Sequence, residues 1–323
     1  MKVFLTQPRG FCAGVERAVK IVELALEIHG PPIYVRREIV HNSHVVERLR
    51  SMGAVFVEET SQVPAGAYVI FSAHGVAPEV FRDADHRRLR VIDATCPLVA
   101  KVHLEVGRFV RQGYHIILIG HAGHDEVIGT IGHAPASITL VSDAEQARRV
   151  ELPAHDRLVV LTQTTLGLDD TAEVLTALRE RFPHLELPPT DDICYATQNR
   201  QNAVKTLADR GTHVVLVVGS KNSSNAQRLV EVAASRGMRG YLIDGEDDIR
   251  PEWLAGAAVV GVTAGASTPE EVVQRVVARL RTLGAETVDV LTTVEEDTVF
   301  SLPPGLRNVP LGVSPRLARA FTT

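Results

Sequence analysis

The chain has 323 residues, of which 45% are hydrophobic and 23% are charged, a balance typical of a globular protein with room for two or three domains. Its formal net charge of −5 argues against sequence-independent binding of nucleic acid, because such binding needs a cationic surface. No apolar stretch approaches the roughly 20 residues of a membrane span, and the N-terminus lacks the apolar length of a signal peptide. We therefore expect a cytoplasmic protein without nucleic-acid or membrane partners, and, since nothing indicates a dimer seam, a monomer.

Short runs rich in β-branched residues alternate along the chain with amphipathic helical patterns. Continuous apolar runs of this kind are typical of strands buried on both faces, and their alternation with helices predicts parallel sheets. The predicted strands are 3–5, 33–40, 67–71, 89–95, 116–119, 158–161, 185–193, 214–218, 241–243, 259–262 and 287–291. Many of these runs lead into polar loops rich in Gly, His, Ser and Thr.

The three cysteines, Cys12, Cys96 and Cys194, each stand between a strand-like or extended run and a helical pattern. The predicted helices behind them cover 15–26, 97–113 and 197–210. A helix N-terminus favours thiolate over thiol, and thiolate is the form that binds metal. The sequence therefore predicts three metal-binding thiolates at equivalent joints of the fold, with three unrelated buried cysteines as the alternative.

The pattern around the cysteines repeats three times. The predicted α/β units cover residues 14–96, 97–193 and 194–281, and the N-terminal strand within residues 1–13 completes the third. A C-terminal strand and arm follow at 282–308, and for the tail at 309–323 disorder is left open. Because ligands collect beyond the carboxyl ends of parallel strands, we expect three such ends to surround one central cavity.

Three thiolates that converge on one cavity suit an iron–sulfur cluster with one iron free of protein ligands. An electron-transfer cluster would use four cysteines, and the distant spacing lacks the close Cys-x-x-Cys pairs of a structural zinc site. A Cys₃His zinc site, with His41, His74 or His124 as the fourth ligand, is the competing interpretation.

The remaining polar loops offer hydroxyl, amide and backbone N–H donors, which suit phosphate oxygens at strand-to-helix joints. Ser267 and Thr268 have a second explanation as helix-capping residues, with Thr268 as the cap and Pro269 at the first helical position. Glu126 follows a histidine-rich loop and would be a proton donor if burial raises its pKa. Its alternative role is to stabilise a helix N-terminus.

Nine segments of the chain resemble the 4-hydroxy-3-methylbut-2-enyl diphosphate reductase family, and the matches run in order to about residue 308. They include Pro-Arg-Gly-Phe-Cys-Ala-Gly-Val at 8–15, Asp-Ala-Thr-Cys-Pro-Leu-Val at 93–99, Ile-Gly-His-Ala-Gly-His-Asp-Glu-Val at 119–127 and Gly-Ser-Lys-Asn-Ser-Ser-Asn at 219–225. The other matches lie at 39–42, 71–76, 162–166, 192–197 and 263–269.

The resemblance implies an oxidoreductase with three small α/β domains in pseudo-threefold arrangement around a [4Fe–4S] cluster. Cys12, Cys96 and Cys194 would hold this cluster and leave its apical iron open to substrate. The implied reaction is the two-electron, two-proton reductive dehydroxylation of the allylic diphosphate to isopentenyl and dimethylallyl diphosphate, the last step of the non-mevalonate isoprenoid pathway. Ferredoxin or flavodoxin is the implied type of electron donor.

The resemblance also implies roles for individual residues. Glu126 would deliver protons, and Thr164 and His124 would belong to the same catalytic network. The residues implied to bind substrate are His41, His74, His124, Thr164, Ser223, Ser224, Asn225 and Ser267. Partly protonated histidines would offset the negative charges of the diphosphate and the cluster.

Two short segments depart from the family pattern. Asp125 stands where relatives often have Pro, and Ser43-His44 replaces a more usual Lys-Tyr. A carboxylate at Asp125 is conjectured to raise the pKa of Glu126. A zinc-bound hydrolase or a phosphate-binding module using the same loops stays open as the alternative function.

Overall fold

The structure is a computed structural model that describes residues 1–153 and 157–306, so the predicted tail at 309–323 lies outside the described residues. The strands are β1 (Lys2–Gln7), β2 (Ile33–Arg36), β3 (Ala54–Val57), β4 (Tyr68–Phe71), β5 (Arg90–Asp93), β6 (His115–Ile119), β7 (Ile138–Val141), β8 (Leu158–Thr162), β9 (Leu185–Glu186), β10 (Val214–Val218), β11 (Arg239–Ile243), β12 (Val259–Ala264) and β13 (Thr287–Thr292). The helices are α1 (Ala13–His29), α2 (Ser43–Ser51), α3 (Pro78–His86), α4 (Pro97–Arg111), α5 (Asp125–Gly132), α6 (Ala144–Arg149), α7 (Leu168–Arg181), α8 (Tyr195–Ala208), α9 (Ser224–Ser235), α10 (Pro251–Leu254) and α11 (Glu270–Thr282).

Across the described ranges, the strands form three separate sheets in which neighbouring strands run parallel. The strand order is β3-β2-β4-β5 in the first sheet, β7-β6-β8-β9 in the second and β11-β10-β12-β1-β13 in the third. The first two orders are the same arrangement repeated, and the third is this arrangement with the N-terminal strand added. The fold class predicted from the sequence, three parallel-sheet α/β units, is confirmed.

The central strands are buried on both faces because helices cover each sheet on its two sides. In the second sheet, Ile116 and Leu118 pack into one hydrophobic core and Ile117 and Ile119 pack into another. Successive side chains of a strand point to opposite faces, so an uninterrupted apolar run is what such a strand requires. This requirement explains why these strands could be recognised from composition.

The N-terminal strand β1 lies inside the third sheet, between β12 and β13. Val3 pairs in register with Val260 on one side and with Val288 on the other. Residues from opposite ends of the chain therefore form neighbouring strands. The residue boundaries predicted for the three units stay a prediction.

Three sequence-based assignments differ from the structure. The strand predicted at 33–40 ends at Arg36, because Arg37 takes a left-handed backbone conformation with φ +56°. The strand predicted at 185–193 is limited to Leu185–Glu186. The edge strands β3 and β7 were not predicted; each is four residues long, and so short an apolar run does not by itself distinguish a strand from other structure.

A helix follows each cysteine as predicted: α4 begins at the predicted Pro97, whereas α1 and α8 begin two residues before the predicted positions 15 and 197. Cys12, Cys96 and Cys194 are the N-cap residues of α1, α4 and α8. The capping role predicted for Thr268 is wrong, because α11 is preceded by Pro269 as its N-cap. The Thr268 hydroxyl instead donates to the carbonyl oxygen of Val218 at 2.8 Å, which ties the loop after β12 to the end of β10.

The C-terminal arm leaves the third sheet after β13 and returns to the first unit. Leu306 is only 4% exposed and belongs to the core that contains α1 and β2. The Nε of Arg17 donates to the carbonyl oxygen of Ser301 at 2.8 Å, which fixes the arm against α1. Among the described helices, none is long and apolar enough to span a bilayer.

Replacing Leu306 with alanine should lower the free energy of unfolding by about 2 kcal/mol, because a leucine side chain leaves a core that can partly collapse. Urea denaturation of the two proteins measures this difference. Val299→Ala is the matched control, since Val299 lies in the same arm and is 88% exposed. Equal losses of stability in the two variants would contradict the docking of the arm.

Candidate active site

A cavity of about 100 Å³ lies where the carboxyl ends of strands from all three sheets meet. It is lined by every residue that the sequence analysis singled out as a site residue: Cys12, His41, His74, Cys96, His124, Glu126, Thr164, Cys194, Ser223, Ser224, Asn225 and Ser267. Six loops supply the polar side chains, one after each of β2, β4, β6, β8, β10 and β12. The structure therefore brings the predicted residues together, while their individual roles stay predictions.

The cysteine thiols enter the cavity at the starts of three helices. Gly14, in the first turn of α1, has no side chain where a Cβ would lie 2.7 Å from the Sγ of Cys96 and 3.9 Å from the Sγ of Cys12. At the start of the third helix, the Sγ of Cys194 lies 3.1 Å from the Thr197 hydroxyl and accepts a hydrogen bond from the Thr197 backbone N–H. The sequence analysis did not select Thr197, although it lies in the matched segment 192–197.

The thiols of Cys96 and Cys194 favour the protonated form, contrary to the expectation of preformed thiolates. Burial, with the charge of Cys12 next in importance, raises the pKa of Cys96 to about 12. Burial and the same neighbour raise the pKa of Cys194 to about 11. The stabilisation offered by a helix N-terminus is smaller than the cost of burying several thiolates together. A metal that binds these sulfurs must therefore displace their protons.

Glu126 and Thr164 form a buried pair beside the cysteines. The backbone N–H of Thr164 donates to Oε1 of Glu126 at 2.7 Å, and the Thr164 hydroxyl donates to Oε2 at 2.9 Å. Glu126 is 2% exposed and Thr164 is 4% exposed. His124 precedes this pair as the N-cap of α5, and its Nδ1 accepts the backbone N–H of Glu126 at 3.2 Å.

Burial raises the pKa of Glu126 to about 7, although the two hydrogen bonds from Thr164 oppose the rise. The neighbouring carboxylate that adds to the increase is Asp192. The conjecture that Asp125 has this effect is therefore wrong, because Asp125 forms an ion pair with Arg37 instead. The carboxyl group of Glu126 is divided between its acid and base forms near neutral pH, as a proton donor in an enzyme requires.

Three histidines form one wall of the cavity. The rings of His41 and His74 are stacked with centroids 4.1 Å apart, and the ring of His124 meets both edge-on. Burial, followed by the charge of His41, lowers the pKa of His74 well below its usual value and that of His124 to about 4. The expectation of partly protonated histidines is therefore wrong for His74 and His124 in the ligand-free site. Each offers one ring N–H rather than a positive charge.

The remaining polar side chains come from the third unit. Asn225 accepts the backbone N–H of Ala266 through its carbonyl oxygen at 3.1 Å, which orients its side-chain amino group as a donor. Ser223 is the N-cap of α9, so backbone N–H groups at a helix start accompany its hydroxyl. The Ser267 hydroxyl donates to the backbone carbonyl of His41 at 2.9 Å, so this loop contacts the first unit directly.

Comparison with known proteins identifies the family. The family model described as LytB protein matches residues 3–281. The chain belongs to the LytB protein family. A curated relative from Mycobacterium ulcerans named 4-hydroxy-3-methylbut-2-enyl diphosphate reductase is 57% identical over 307 residues, which cover 95% of this chain and 92% of that protein. A relative of the same name from Mannheimia succiniciproducens is 54% identical over 310 residues, with 95% and 98% covered.

Solved structures of the LytB family share the fold of this chain. The structure of E-1-hydroxy-2-methyl-but-2-enyl-4-diphosphate reductase from Plasmodium falciparum has a TM-score of 0.91 and 38% identity, and the match covers 94% of this chain and 96% of that one. A structure of (E)-4-hydroxy-3-methyl-but-2-enyl diphosphate reductase, described as the terminal enzyme of the non-mevalonate pathway, has a TM-score of 0.62 and 34% identity. That match covers 87% of this chain and 100% of the other.

The spacing of the possible metal-ligand atoms in this LytB-family site bears on the kind of metal group that it could hold. Within the described residues, the group of His, Cys, Asp and Glu ligand atoms that lie within 4.8 Å of one another comprises His41, His74 and Asp125, without a cysteine. Tetrahedral zinc bonded to sulfur at about 2.3 Å would bring its cysteine sulfurs within about 4 Å of each other. Cys12, Cys96 and Cys194 do not form such a group, so at least one pair of their sulfurs lies more than 4.8 Å apart. This spacing disfavours the Cys₃His zinc interpretation.

The carboxyl of Glu126 should titrate with a midpoint near the pKa of about 7 that its burial produces. It should hold its proton below this pH and lose it above, and infrared difference spectra of the ligand-free protein through neutral pH measure the change. Glu126→Gln is the control that should lack this signal. A midpoint near 4.3, the value of an exposed glutamate, would contradict the effect of burial.

Proposed function

We infer that this chain is a 4-hydroxy-3-methylbut-2-enyl diphosphate reductase, an oxidoreductase of isoprenoid biosynthesis that forms isopentenyl and dimethylallyl diphosphate. The observation that carries the inference is the cavity in which three helix-capping cysteines face the buried pair of Glu126 and Thr164. The family membership and the relatives that are more than half identical over nearly the whole chain support it. The net reaction removes the allylic hydroxyl as water and consumes two electrons and two protons.

We propose that Cys12, Cys96 and Cys194 hold one [4Fe–4S] cluster in the cavity. When bound, such a cluster would supply the electrons for the reaction, and with three cysteine ligands it would have one iron without a protein ligand. The absence of a side chain at Gly14 supports this assignment, because a Cβ there would fill the space beside two of the three sulfurs. The relatives named as reductases support a metal cluster in this family, and we propose that it is of the [4Fe–4S] type with these three ligands.

The diphosphate would bind against the side chains that the first and third units present to the cavity. His41, His74, Ser223, Asn225 and Ser267 are assigned to this subsite. Their ring N–H, hydroxyl and amide groups bind phosphate oxygens by hydrogen bonds and backbone N–H groups at the start of α9 add to them. Because most of these donors are neutral, the subsite depends on their number and orientation more than on net positive charge. Ser224 and His124 extend the same donor surface.

Glu126 is assigned as the proton donor and Thr164 as the residue that orients the substrate hydroxyl. The Thr164 hydroxyl lies 2.9 Å from Oε2 of Glu126. When Glu126 is protonated, Oε2–H can donate to this hydroxyl, which in turn donates to a substrate oxygen, so the three groups form one chain of hydrogen bonds. A proton held on Glu126 then has a short path to the oxygen that leaves as water. The raised pKa supports this role, since a glutamate of ordinary pKa would be ionised at neutral pH.

We also propose that the chain is a monomeric cytoplasmic enzyme that receives its electrons from a small redox protein of the ferredoxin or flavodoxin type. We also propose unit boundaries at 14–96, 97–193 and 194–281, with the strand in residues 1–13 completing the third unit and residues 282–308 forming the strand and arm.

The decisive experiment is anaerobic turnover of 4-hydroxy-3-methylbut-2-enyl diphosphate with a chemical reductant, on protein whose iron and acid-labile sulfide have been counted. Formation of isopentenyl and dimethylallyl diphosphate is the expected result. Full cluster loading without turnover would overturn the assigned reaction. Bound zinc without sulfide would overturn the cluster and support the alternative hydrolase.

Glu126→Gln should lower kcat by about 10²- to 10⁴-fold while changing substrate binding little, because the amide keeps the shape but supplies no proton. In the unmodified enzyme, the rate should fall as pH rises through the pKa of about 7, where the donor proton is lost. Steady-state kinetics across this pH range measure both effects. An unchanged kcat in Glu126→Gln would remove Glu126 from the mechanism.

Gly14→Ala should reduce iron and sulfide content after anaerobic reconstitution, because its methyl group would lie 2.7 Å from the Sγ of Cys96. Gly107→Ala is the matched control: Gly107 lies inside α4, and its added Cβ would meet only the flexible end of Arg111, at 3.3 Å. Metal analysis and visible absorption compare the two variants. Full loading of Gly14→Ala would contradict the proposed placement of the cluster.

A further inference from the structure

Each helix that begins at a cysteine carries a cationic residue in its second turn. Arg17 lies five residues after Cys12 on α1, and Lys101 lies five residues after Cys96 on α4. The third helix, α8, has Arg200 six residues after Cys194. Neither the family motifs nor the proposed mechanism uses these three side chains, which we call the clamp cations.

Each of the first two clamp cations reaches the loop that leads to the next cysteine of the chain. The Nη1 of Arg17 donates to the carbonyl oxygens of Ala94 and Thr95 at 3.2 and 3.0 Å, just before Cys96. The Nζ of Lys101 donates to the carbonyl oxygens of Thr190 and Asp191 at 3.2 and 3.0 Å.

Lys101 also binds the buried carboxylate of Asp192. Its Nζ lies 2.9 Å from Oδ1, and Oδ2 accepts the backbone N–H of Thr162 at 3.0 Å. The same carboxylate therefore connects the loop before Cys194 to the end of β8, two residues from Thr164. Lys101 thus orients one cysteine loop and one loop of the catalytic pair together.

The third clamp cation closes the cycle. Arg200 is 1% exposed, and its Nη2 donates to the carbonyl oxygens of Gly10 and Phe11 at 2.7 and 3.3 Å, just before Cys12. Its Nε donates to Gly10 as well, at 3.2 Å. Glu296 of the C-terminal arm lies 3.1 Å from Nη1 and balances the buried charge.

The three contacts share one arrangement, although the residues that form them differ. In each unit, a cation on the first helix donates hydrogen bonds to backbone oxygens of the loop that leads to the next cysteine. These bonds fix the cysteine at the start of the unit relative to the cysteine at its end. The three contacts are therefore the three sides of a triangle whose corners are the cysteines. Recurrence of this arrangement in all three units would not be expected of cations that serve only to solubilise a helix surface.

We propose that Arg17, Lys101 and Arg200 are positioning residues that fix the separations of the three cysteines and so determine how firmly the cluster is held. The proposal rests on the proposed cluster, because only a group bonded to all three thiols requires all three separations. Each clamp bonds backbone oxygens that precede a cysteine, and removing the donor removes these bonds. For Lys101 it also leaves the buried carboxylate of Asp192 without its cation. The loop before the affected cysteine then opens more often, which would expose iron bound to that cysteine.

The test uses Lys101→Met, which keeps the length of the side chain without its donors, and Lys101→Arg, which restores charge and donors. Arg111→Met is the matched control, because Arg111 is an exposed cation near the end of the same helix. The first measurement is amide hydrogen exchange at Cys194, whose N–H bonds the carbonyl oxygen of Thr164 at 3.0 Å. It is made on the full chain without metal.

Lys101→Met should speed exchange at Cys194 about tenfold, the effect of losing roughly 1.4 kcal/mol of hydrogen bonding, with little change at Cys96. Lys101→Arg should restore most of the protection. Arg17→Met, a second variant on another side of the triangle, should show the converse pattern, with faster exchange at Cys96 than at Cys194. Unchanged exchange, or an equal increase throughout the chain, would overturn the clamps.

The second measurement is the rate at which reconstituted protein loses iron to a chelator, followed by the electron paramagnetic resonance signal of cluster breakdown products. Lys101→Met should lose iron several-fold faster than Arg111→Met, and Lys101→Arg should approach the unmodified rate. Equal rates in Lys101→Met and Arg111→Met would overturn the link to cluster retention. Failure of the unmodified protein to take up iron and sulfide would instead refute the proposed cluster, while the exchange pattern would still report on the clamps.

Discussion

Each cysteine stands where the last loop of one parallel sheet meets the first helix of the next unit, and the rest of the site is arranged around these three joints. The chain can turn there because the N-cap residue is extended while the residues after it are helical. Parallel strands bring the polar loops to the same ends of their sheets, so the joints and the loops meet in one cavity. The site is therefore a consequence of how the units connect, and each unit alone holds only part of it.

Burial dominates the electrostatics of this cavity. It opposes the charged forms of Cys96, Cys194 and Glu126, which become weaker acids. It likewise makes His74 and His124 weaker bases. The charge of the half-buried Arg37 is balanced by its ion pair with Asp125.

The sequence predicted the features that depend on local pattern. Strands such as β6 and β10 are apolar throughout because both faces are buried, and the helices after the cysteines begin with ordinary start signals. The edge strands β3 and β7 were not predicted, because an apolar run of four residues is a weak signal for a strand. The protonation states of Cys96 and His74 could not be predicted, since their burial is produced by residues from other units. The role of the clamp cations could not be predicted either, because each one contacts a loop that is some 80 or more residues away in the sequence.

The position of β1 has a consequence for how the molecule is made. This strand is synthesised well before its neighbours β12 and β13, which lie more than 250 residues further along the chain. Domains synthesised from the N-terminus usually fold as they appear, and contacts between distant residues form late. Here the nascent chain carries an apolar, unpaired strand until β12 and β13 have been made. These late strands give β1 its place, so Cys12, which follows β1, takes its position relative to Cys96 and Cys194 only after they have been made.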